Sequence, residues 1–174
     1  KAACPSCWLS SAGLFFHPQV IPGASEFLHD LLSADPEGLQ HMDALGFHPY
    51  PLYPPLAAPE DNSVGQRALP GMAADLTAVL THHGLAHLPL AVTELGWPVH
   101  SSTDEARQSA WLTRSVLLSA ALGMDPICWY NLENGTNEGN FPPEDDFGLY
   151  RHGHSLPGAP IDPKPARDAM AWLA

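Results

Sequence analysis

The stretch Pro89-Leu-Ala-Val-Thr-Glu94-Leu-Gly96-Trp97 carries the clearest structural signal in this sequence. Its apolar, β-branched run is bounded by a proline and a glycine, which predicts a buried strand. Because the run is apolar on both faces, it favours a parallel sheet covered by helices. Glu94 would end that strand. A carboxylate there is usually paired or used in chemistry, so Glu94 is a candidate catalytic residue or, alternatively, an ion-pair partner or helix N-terminal acid.

The composition is that of a globular protein with a hydrophobic core. The 174 residues are 45% hydrophobic and 15% charged, enough for one domain. The formal net charge of −12 argues against nucleic-acid and anionic-membrane partners, whereas a neutral ligand such as a sugar is compatible with it. No stretch approaches the roughly 18 apolar residues of a transmembrane helix. The N-terminus lacks a signal pattern, so the compartment stays open, with secretion or a periplasmic location compatible.

The cysteines give a weak signal. Cys4 and Cys7 form a Cys-x-x-Cys, which could be half a zinc site, a redox pair or a local disulfide, and Cys128 lies in an apolar run. No second Cys-x-x-Cys completes a zinc site. We therefore favour a structural or incidental role for this pair.

The ten histidines do not form a recognisable metal motif. His82, His83 and His87 fall near a predicted helix end, and none of the histidines shows His-Glu-x-x-His spacing. Solvated or locally bonded histidines are expected, and neither a metal site nor a cofactor is predicted.

Strand and helix patterns alternate along the chain in the order βαβαβαβα. Strands are predicted over 8–16, 42–47, 89–94 and 126–130, and helices over 24–33, 69–83, 103–122 and 163–174. Thr103 is the expected N-cap of the third helix. This alternation implies a parallel sheet with right-handed crossovers. The residues that follow the strands would then converge on one face, namely His48, Tyr50, Glu94, Trp97, Trp129 and Asn131.

The predicted fold class is α/β. Four βα units make half of a (β/α)₈ barrel, whose usual length is about 250 residues. The alternative is a four-stranded open α/β sheet. A nucleotide-binding doubly wound fold is not favoured, because the chain has neither Gly-x-Gly-x-x-Gly nor a Walker loop.

Motifs in order along the chain resemble the C-terminal half of a clan A retaining glycoside hydrolase, nearest to family 39 and the related family 5. They are Gly46-Phe-His48-Pro-Tyr50 for the sixth strand, Thr93-Glu94-Leu-Gly96-Trp97 for the seventh, Trp129-Tyr-Asn-Leu-Glu133 for the eighth and Phe147-Gly-Leu-Tyr150 for the closing loop. The resemblance implies strands 5 to 8 of a TIM (β/α)₈ barrel with their helices. Residues 1–174 would form a single C-terminal half-barrel, with the N-terminal (βα)₁₋₄ half absent from this chain.

The resemblance also implies roles for individual residues. Glu94 would be the nucleophile, Tyr50 would hydrogen-bond it, and His48 would sit beside it toward sugar hydroxyls. Trp129 would form the apolar floor under the sugar ring. The remaining substrate-binding residues would be Trp97, Asn131 and Glu133. Alternative interpretations are a satisfied strand-end histidine for His48, core packing for Trp129 and a solvated acidic loop for Glu133.

The chemistry explains these residue types and exposes one gap. Retention uses two carboxyl groups about 5–5.5 Å apart, one as nucleophile and one as acid/base. A phenol donor favours the charged form of a carboxylate, and an aromatic face packs against sugar C–H bonds. In clan A the acid/base glutamate lies in an Asn-Glu pair ending the fourth strand, and this chain has no such pair ahead of its first strand.

Two functional classes follow. The first is a retaining glycosidase that acts on O-glycosidic bonds of a poly- or oligosaccharide and is incomplete without an N-terminal half that supplies the acid/base glutamate. The second is a non-catalytic carbohydrate-binding or structural half-barrel. The partners expected are a carbohydrate and either the missing half-barrel segment or further copies of the chain joined through apolar edge strands, with no nucleic acid and no membrane.

Overall fold

The structure is a computed structural model in which strands and helices alternate from one end to the other. It describes residues 4, 6–16, 23–50, 57–61, 68–100, 103–135, 146–152, 158 and 160–174. The elements are β1 (Leu14–Phe15), α1 (Ala24–Ala34), β2 (Leu45–His48), α2 (Leu69–His82), β3 (Leu90–Leu95), α3 (Glu105–Ala121), β4 (Ile127–Trp129) and α4 (Pro165–Leu173).

The four strands form one parallel sheet in the order β1-β2-β3-β4. The predicted alternation of strands and helices and the parallel sheet are therefore confirmed. β3 is an inner strand whose residue Val92 pairs with Phe47 of β2 and Ile127 of β4. Among the described residues, β1 and β4 are the outer strands of the sheet.

The core lies between the sheet and the helices. Leu28 and Leu32 of α1, Leu76 of α2, and Phe47 and Val92 of the sheet are all fully buried. A smaller cluster joins α3 to α4 through residues Leu112, Leu149 and Ala166. Within the part of the chain that the structure describes, no helix is both long and apolar enough to cross a membrane.

The predicted apolar stripe of α1 is only half buried. Leu28 and Leu32 enter the core, but Phe27 and Leu31 are 47% and 40% exposed. The helix follows an outer strand and packs mainly against α2, so one side of its stripe meets solvent.

The first strand is shorter than the sequence pattern predicts. Of the predicted 8–16, only Leu14 and Phe15 form a strand, with an isolated bridge between Ser10 and Ala44. Ser11 explains the interruption: its side-chain hydroxyl accepts the Gly46 N–H at 2.9 Å, in place of a backbone carbonyl. Just before this strand, Cys4 and Cys7 form a disulfide, one of the three alternatives open from the sequence.

The N-cap of α3 is Asp104, so the expectation of Thr103 is wrong. The Asp104 carboxylate accepts the Arg107 N–H at 2.7 Å. Thr103 is buried instead, and its backbone exchanges two hydrogen bonds with His100, which holds it in a turn before the helix.

An irregularity in the pairing of β3 falls at Thr93 and Glu94. Val92 pairs with Ile127 and Leu95 pairs with Trp129, so three steps along β3 match two along β4. An extra residue of this kind re-aims side chains and is common beside active sites. Thr93 and Glu94 are half-buried, whereas Val92 and Leu95 on either side are buried.

The chain after β3 passes close to the chain after β4. A Cβ atom at Gly96 would lie 2.0 Å from the carbonyl oxygen of Tyr130 and 2.9 Å from the Phe147 ring. Because the nearest obstacle is backbone, it cannot rotate away. Only glycine allows this approach.

A buried lysine donates a hydrogen bond to the closing segment, residues 146–150. Lys164, the residue before α4, is 1% exposed, and its ammonium donates to the carbonyl oxygen of Asp146 at 2.8 Å. Burial lowers the pKa of Lys164 to about 8, against the attraction of Asp146 and Glu105. Arg151, just after the segment, donates to both carboxylate oxygens of Glu105, at 2.8 and 2.6 Å.

Replacing Gly96 by alanine should destabilise the fold, because the added methyl group collides with backbone. We expect Gly96→Ala to lower the free energy of unfolding by more than about 2 kcal/mol. Gly23→Ala is the matched control, since a Cβ there meets nothing within 4 Å, and its effect should stay within about 1 kcal/mol. Denaturant unfolding measures both. Equal effects of the two substitutions would contradict the close approach at Gly96.

Lys164 should make stability depend on pH. Its pKa is about 8 in the folded chain and 10.5 for an ordinary lysine, so the unfolded chain holds more protons between these values. Stability should therefore rise with pH from about 8 to 10.5. In Lys164→Met this rise should disappear. The free energy of unfolding at pH 7 should be unchanged or higher by up to about 3 kcal/mol, because an uncompensated burial cost is removed.

The substitution Lys164→Met removes one of several donors to the same carbonyl group. The carbonyl of Asp146 keeps two other donors, Val99 N at 3.2 Å and Gln108 Nε2 at 3.3 Å, so the substitution leaves no buried carbonyl unpaired. Denaturant unfolding at several pH values between 7 and 10.5 makes the comparison. If the free energy of unfolding depended on pH in the same way in both proteins, the rise could not be due to Lys164.

Candidate active site

The residues that follow the strands meet at the carboxyl edge of the sheet. Phe15 and His48 end β1 and β2, Glu94 is the penultimate residue of β3, and Trp129 ends β4. In parallel sheets covered by helices, ligands bind at this edge. The predicted convergence on one face is therefore seen in the structure for these strand ends.

A tyrosine and a histidine hold the carboxylate of Glu94. The Tyr50 hydroxyl donates to Glu94 Oε1 at 2.5 Å, the length of a charge-assisted O–H···O bond. His48 Nδ1 lies 3.5 Å from the other oxygen, Oε2. The Glu94 side chain is 34% exposed and that of His48 is 22% exposed, so both reach solvent while their partners orient them.

His48 packs directly against the backbone of the strand beside it. A Cβ atom at Gly13 would lie 2.0 Å from His48 Nε2, within the space of the imidazole ring. Gly13, just before β1, therefore makes room for the ring in its observed position. Sequence reasoning could not show this dependence, because only the pairing of β1 with β2 brings Gly13 next to His48.

Aromatic rings surround the Tyr50 phenol. The centroids of Phe15, Phe147 and Tyr130 lie 5.8, 6.0 and 6.5 Å from that of Tyr50, and Tyr130 and Phe147 are 5.3 Å apart. Such distances are typical of favourable aromatic pairs. Sequence reasoning singled out neither Phe15 nor Tyr130, although both stand at strand ends.

Two tryptophans were predicted to contact substrate, and the structure places them differently. Trp129 is half-buried, and its indole N–H donates to the carbonyl of Phe147 at 3.3 Å. Trp97 is 1% exposed, and its indole N–H donates to the carbonyl of Ala57 at 2.9 Å. Trp97 is thus a core residue in this structure, because its ring packs inward between Trp111 and Trp129.

The two polar residues predicted on the segment after β4 are half-buried. Asn131 is the second residue after β4, and its side-chain oxygen is buried with no hydrogen-bond partner among the described residues. Glu133 forms a backbone bridge with Tyr150 at the end of the closing segment. The structure thus places both residues between β4 and the closing segment.

This arrangement can hold a carboxylate in one orientation at an open edge. The phenol satisfies one oxygen, the imidazole flanks the other, and the exposed fraction of the carboxylate is available to a bound molecule. A carboxylate fixed in this way can act as a nucleophile or as a base.

Comparison with known proteins identifies the kind of fold. A family 39 glycoside hydrolase from the gut symbiont Bacteroides cellulosilyticus has 27% sequence identity and a TM-score of 0.62, over 86% of this chain and 30% of its own. The β-glycosidase BGL167 shows 21% identity and a TM-score of 0.52, over 86% of this chain and 37% of its own.

A third solved structure is similar over nearly the whole chain. It is a family 128 endo-β-1,3-glucanase from Amycolatopsis mediterranei, in complex with laminaritriose and laminaribiose, with 18% identity and a TM-score of 0.50. The similarity covers 95% of this chain and 57% of the glucanase chain. No protein-family model and no curated protein sequence matches the chain. The chain spans about a third of the first two structures, and the resemblance to glycoside hydrolases predicted from its sequence is confirmed.

Proposed function

We propose that this chain carries the nucleophile of a retaining glycoside hydrolase that acts on O-glycosidic bonds of a poly- or oligosaccharide. The observation that carries the proposal is the Glu94 carboxylate at the end of β3, held by Tyr50 at 2.5 Å and flanked by His48 at 3.5 Å. The similarity to a family 39 enzyme at 27% identity supports the same kind of reaction.

In the first step a carboxylate oxygen of Glu94 attacks the anomeric carbon. The bond from that carbon to the glycosidic oxygen breaks, and the leaving oxygen takes a proton from a second carboxylic acid. In the second step water attacks the same carbon, releases Glu94 and gives its proton to that second carboxylate. Tyr50 keeps Glu94 oriented through both steps, because its hydroxyl donates to Oε1.

The second carboxyl group belongs, in this proposal, to a preceding half-barrel. Residues 1–174 would supply strands 5 to 8, and four further βα units would close the barrel against the outer strands β1 and β4. Closure would also place an acid/base glutamate opposite Glu94. The share of the family 39 protein covered by this chain, 30%, is compatible with a partial unit.

The sugar would lie across the carboxyl edge of the sheet. We assign its apolar face to Trp129, and its hydroxyl groups to His48, Asn131 and Glu133. Within the described ranges the buried side-chain oxygen of Asn131 has no donor, and a buried acceptor of this kind gains from a ligand hydroxyl, which supports its assignment to the sugar.

Substitution of Glu94 tests the nucleophile directly. In a form of the protein that hydrolyses 4-nitrophenyl glycosides, Glu94→Gln should lower kcat at least about a thousandfold, because the amide is a poor nucleophile. A 2-deoxy-2-fluoro glycoside of the sugar hydrolysed should label Glu94, as peptide mass spectrometry would show. Circular dichroism should be unchanged.

The matched control is Glu26→Gln, which makes the same change at an exposed carboxylate in the first turn of α1. Its kcat should equal that of the wild type. Labelling at Glu133, or full activity of Glu94→Gln, would overturn the assignment. Binding of oligosaccharides without any turnover in the complete protein would support the non-catalytic alternative instead.

The isolated 174-residue chain should be inactive and should self-associate. Among the described residues β1 and β4 each pair with one neighbouring strand only, and the residues on or beside them include Trp8 and Phe15, which are 49% and 46% exposed, and the exposed Cys128. Light scattering should report oligomers or aggregates in reducing buffer. A glycosidase assay should show activity only when the preceding half is supplied.

Two substitutions of Cys128 in β4 test whether strand pairing causes the association. Cys128→Lys should reduce association, because a lysine on an edge strand opposes strand pairing, whereas Cys128→Ser should not. A stable monomer with normal turnover would contradict the half-barrel proposal. An acid within the chain would then have to take the second role.

A further inference from the structure

Three histidines from two helices meet on the side of α1 and α2. His29 lies in α1, His82 is the last residue of α2, and His83 is its C-cap. The ring centroids of His29 are 5.6 Å from His82 and 5.1 Å from His83, and those of His82 and His83 are 5.0 Å apart. One ring nitrogen of each lies within 4.8 Å of one ring nitrogen of the others.

The surroundings of His83 favour the neutral imidazole, which is the form that binds a metal ion. Partial burial lowers the pKa of His83, and the neighbouring His82 and His29 lower it further. The Nε2 atom of His83 is buried and has no hydrogen-bond partner among the described residues. A buried ring nitrogen without a partner carries a free-energy cost that a bound cation would remove.

We infer that His29, His82 and His83 bind one divalent transition-metal ion of the Zn²⁺ class, with water in the fourth position. Imidazole nitrogens lie 2.0–2.1 Å from Zn²⁺, so tetrahedral ligands are about 3.3 Å apart. The nitrogens need to move together by about 1.5 Å, and the exposed side chains of His29 and His82 can rotate to do so.

A carboxylate beside the cluster fits the same chemistry. Asp30 Oδ1 lies 3.5 Å from His29 Nδ1, on the side chain of the adjacent residue. Histidines that bind metals commonly direct their other ring N–H to a carboxylate, which fixes the ring and increases its basicity. With Nδ1 facing Asp30, Nε2 of His29 is the nitrogen available to the metal.

The site would join two helices and take no part in hydrolysis. In a βαβ unit the helix runs antiparallel to the strands, so the C-terminal end of α2 lies near the amino-terminal edge of the sheet. Glu94 lies near the opposite edge, at the carboxyl end of β3. Metal binding would link α1 to α2. The inference does not depend on the proposed function.

Calorimetric titration of the metal-free protein with ZnCl₂ tests the site. The wild type should bind one Zn²⁺ ion tightly, and each of His29→Ala, His82→Ala and His83→Ala should weaken that affinity at least about tenfold. The triple variant should lose the tight site. Saturating Zn²⁺ should raise the Tm of the wild type and not that of the triple variant.

His87→Ala, at an exposed histidine in the loop after α2, is the matched control and should bind Zn²⁺ like the wild type. Circular dichroism and Tm in EDTA show whether each variant is folded, and Co²⁺ absorption of the wild type gives an independent measure of nitrogen ligation. Absence of tight binding in the wild type, or unchanged affinity in a folded triple variant, would overturn the inference.

Discussion

The parallel pairing of β3 with both of its neighbours is the constraint on which the candidate site depends. It aligns the ends of β2, β3 and β4 at one edge, so that His48, Glu94 and Trp129 leave the sheet together. The additional residue in β3 falls at Thr93 and Glu94, where the Glu94 carboxylate accepts the Tyr50 hydroxyl, and extra residues of this kind commonly re-aim side chains beside active sites. A regular strand would alternate Thr93 and Glu94 between opposite faces.

The closing segment, residues 146–150, is held by a hydrogen bond from a buried lysine and by aromatic contacts beside Tyr50. Phe147 packs against Tyr50 and Tyr130, while the carbonyl of the preceding Asp146 receives the Lys164 ammonium. The closing segment therefore connects the start of α4 with the Tyr50 phenol, which donates to Glu94. Burial of this lysine costs stability, and its hydrogen bond to the Asp146 carbonyl offsets part of that cost.

Much of the fold could be predicted because its signals are local. Apolar runs and helical spacing marked the four strands and four helices that the described part of the chain contains, and their order implied that His48, Tyr50 and Glu94 would meet. The bounds of β1 and the cap of α3 could not be predicted, because a Ser11 hydroxyl and a turn at Thr103 decide them through contacts outside the pattern.

The features that sequence reasoning missed come from residues far apart in the chain. His29 and His82 meet only because α1 packs on α2, so no spacing motif could reveal them. The motif at Trp97 suggested a substrate contact, which stays a prediction, whereas its burial in the core against Trp111 of α3 was not foreseen. Composition and periodicity carry no information about either arrangement.

The packing of three indoles also gives the protein an optical property. Trp97 lies 5.7 Å from Trp111 and 6.0 Å from Trp129, centre to centre, while Trp8 and Trp172 are 49% and 91% exposed. Rings this close couple their electronic transitions, so the three inner indoles should dominate the near-ultraviolet circular dichroism. Acrylamide would quench the two outer indoles first. The Trp129 indole donates a hydrogen bond to the carbonyl of Phe147. The remaining emission would therefore report how stably the closing segment packs beside the site.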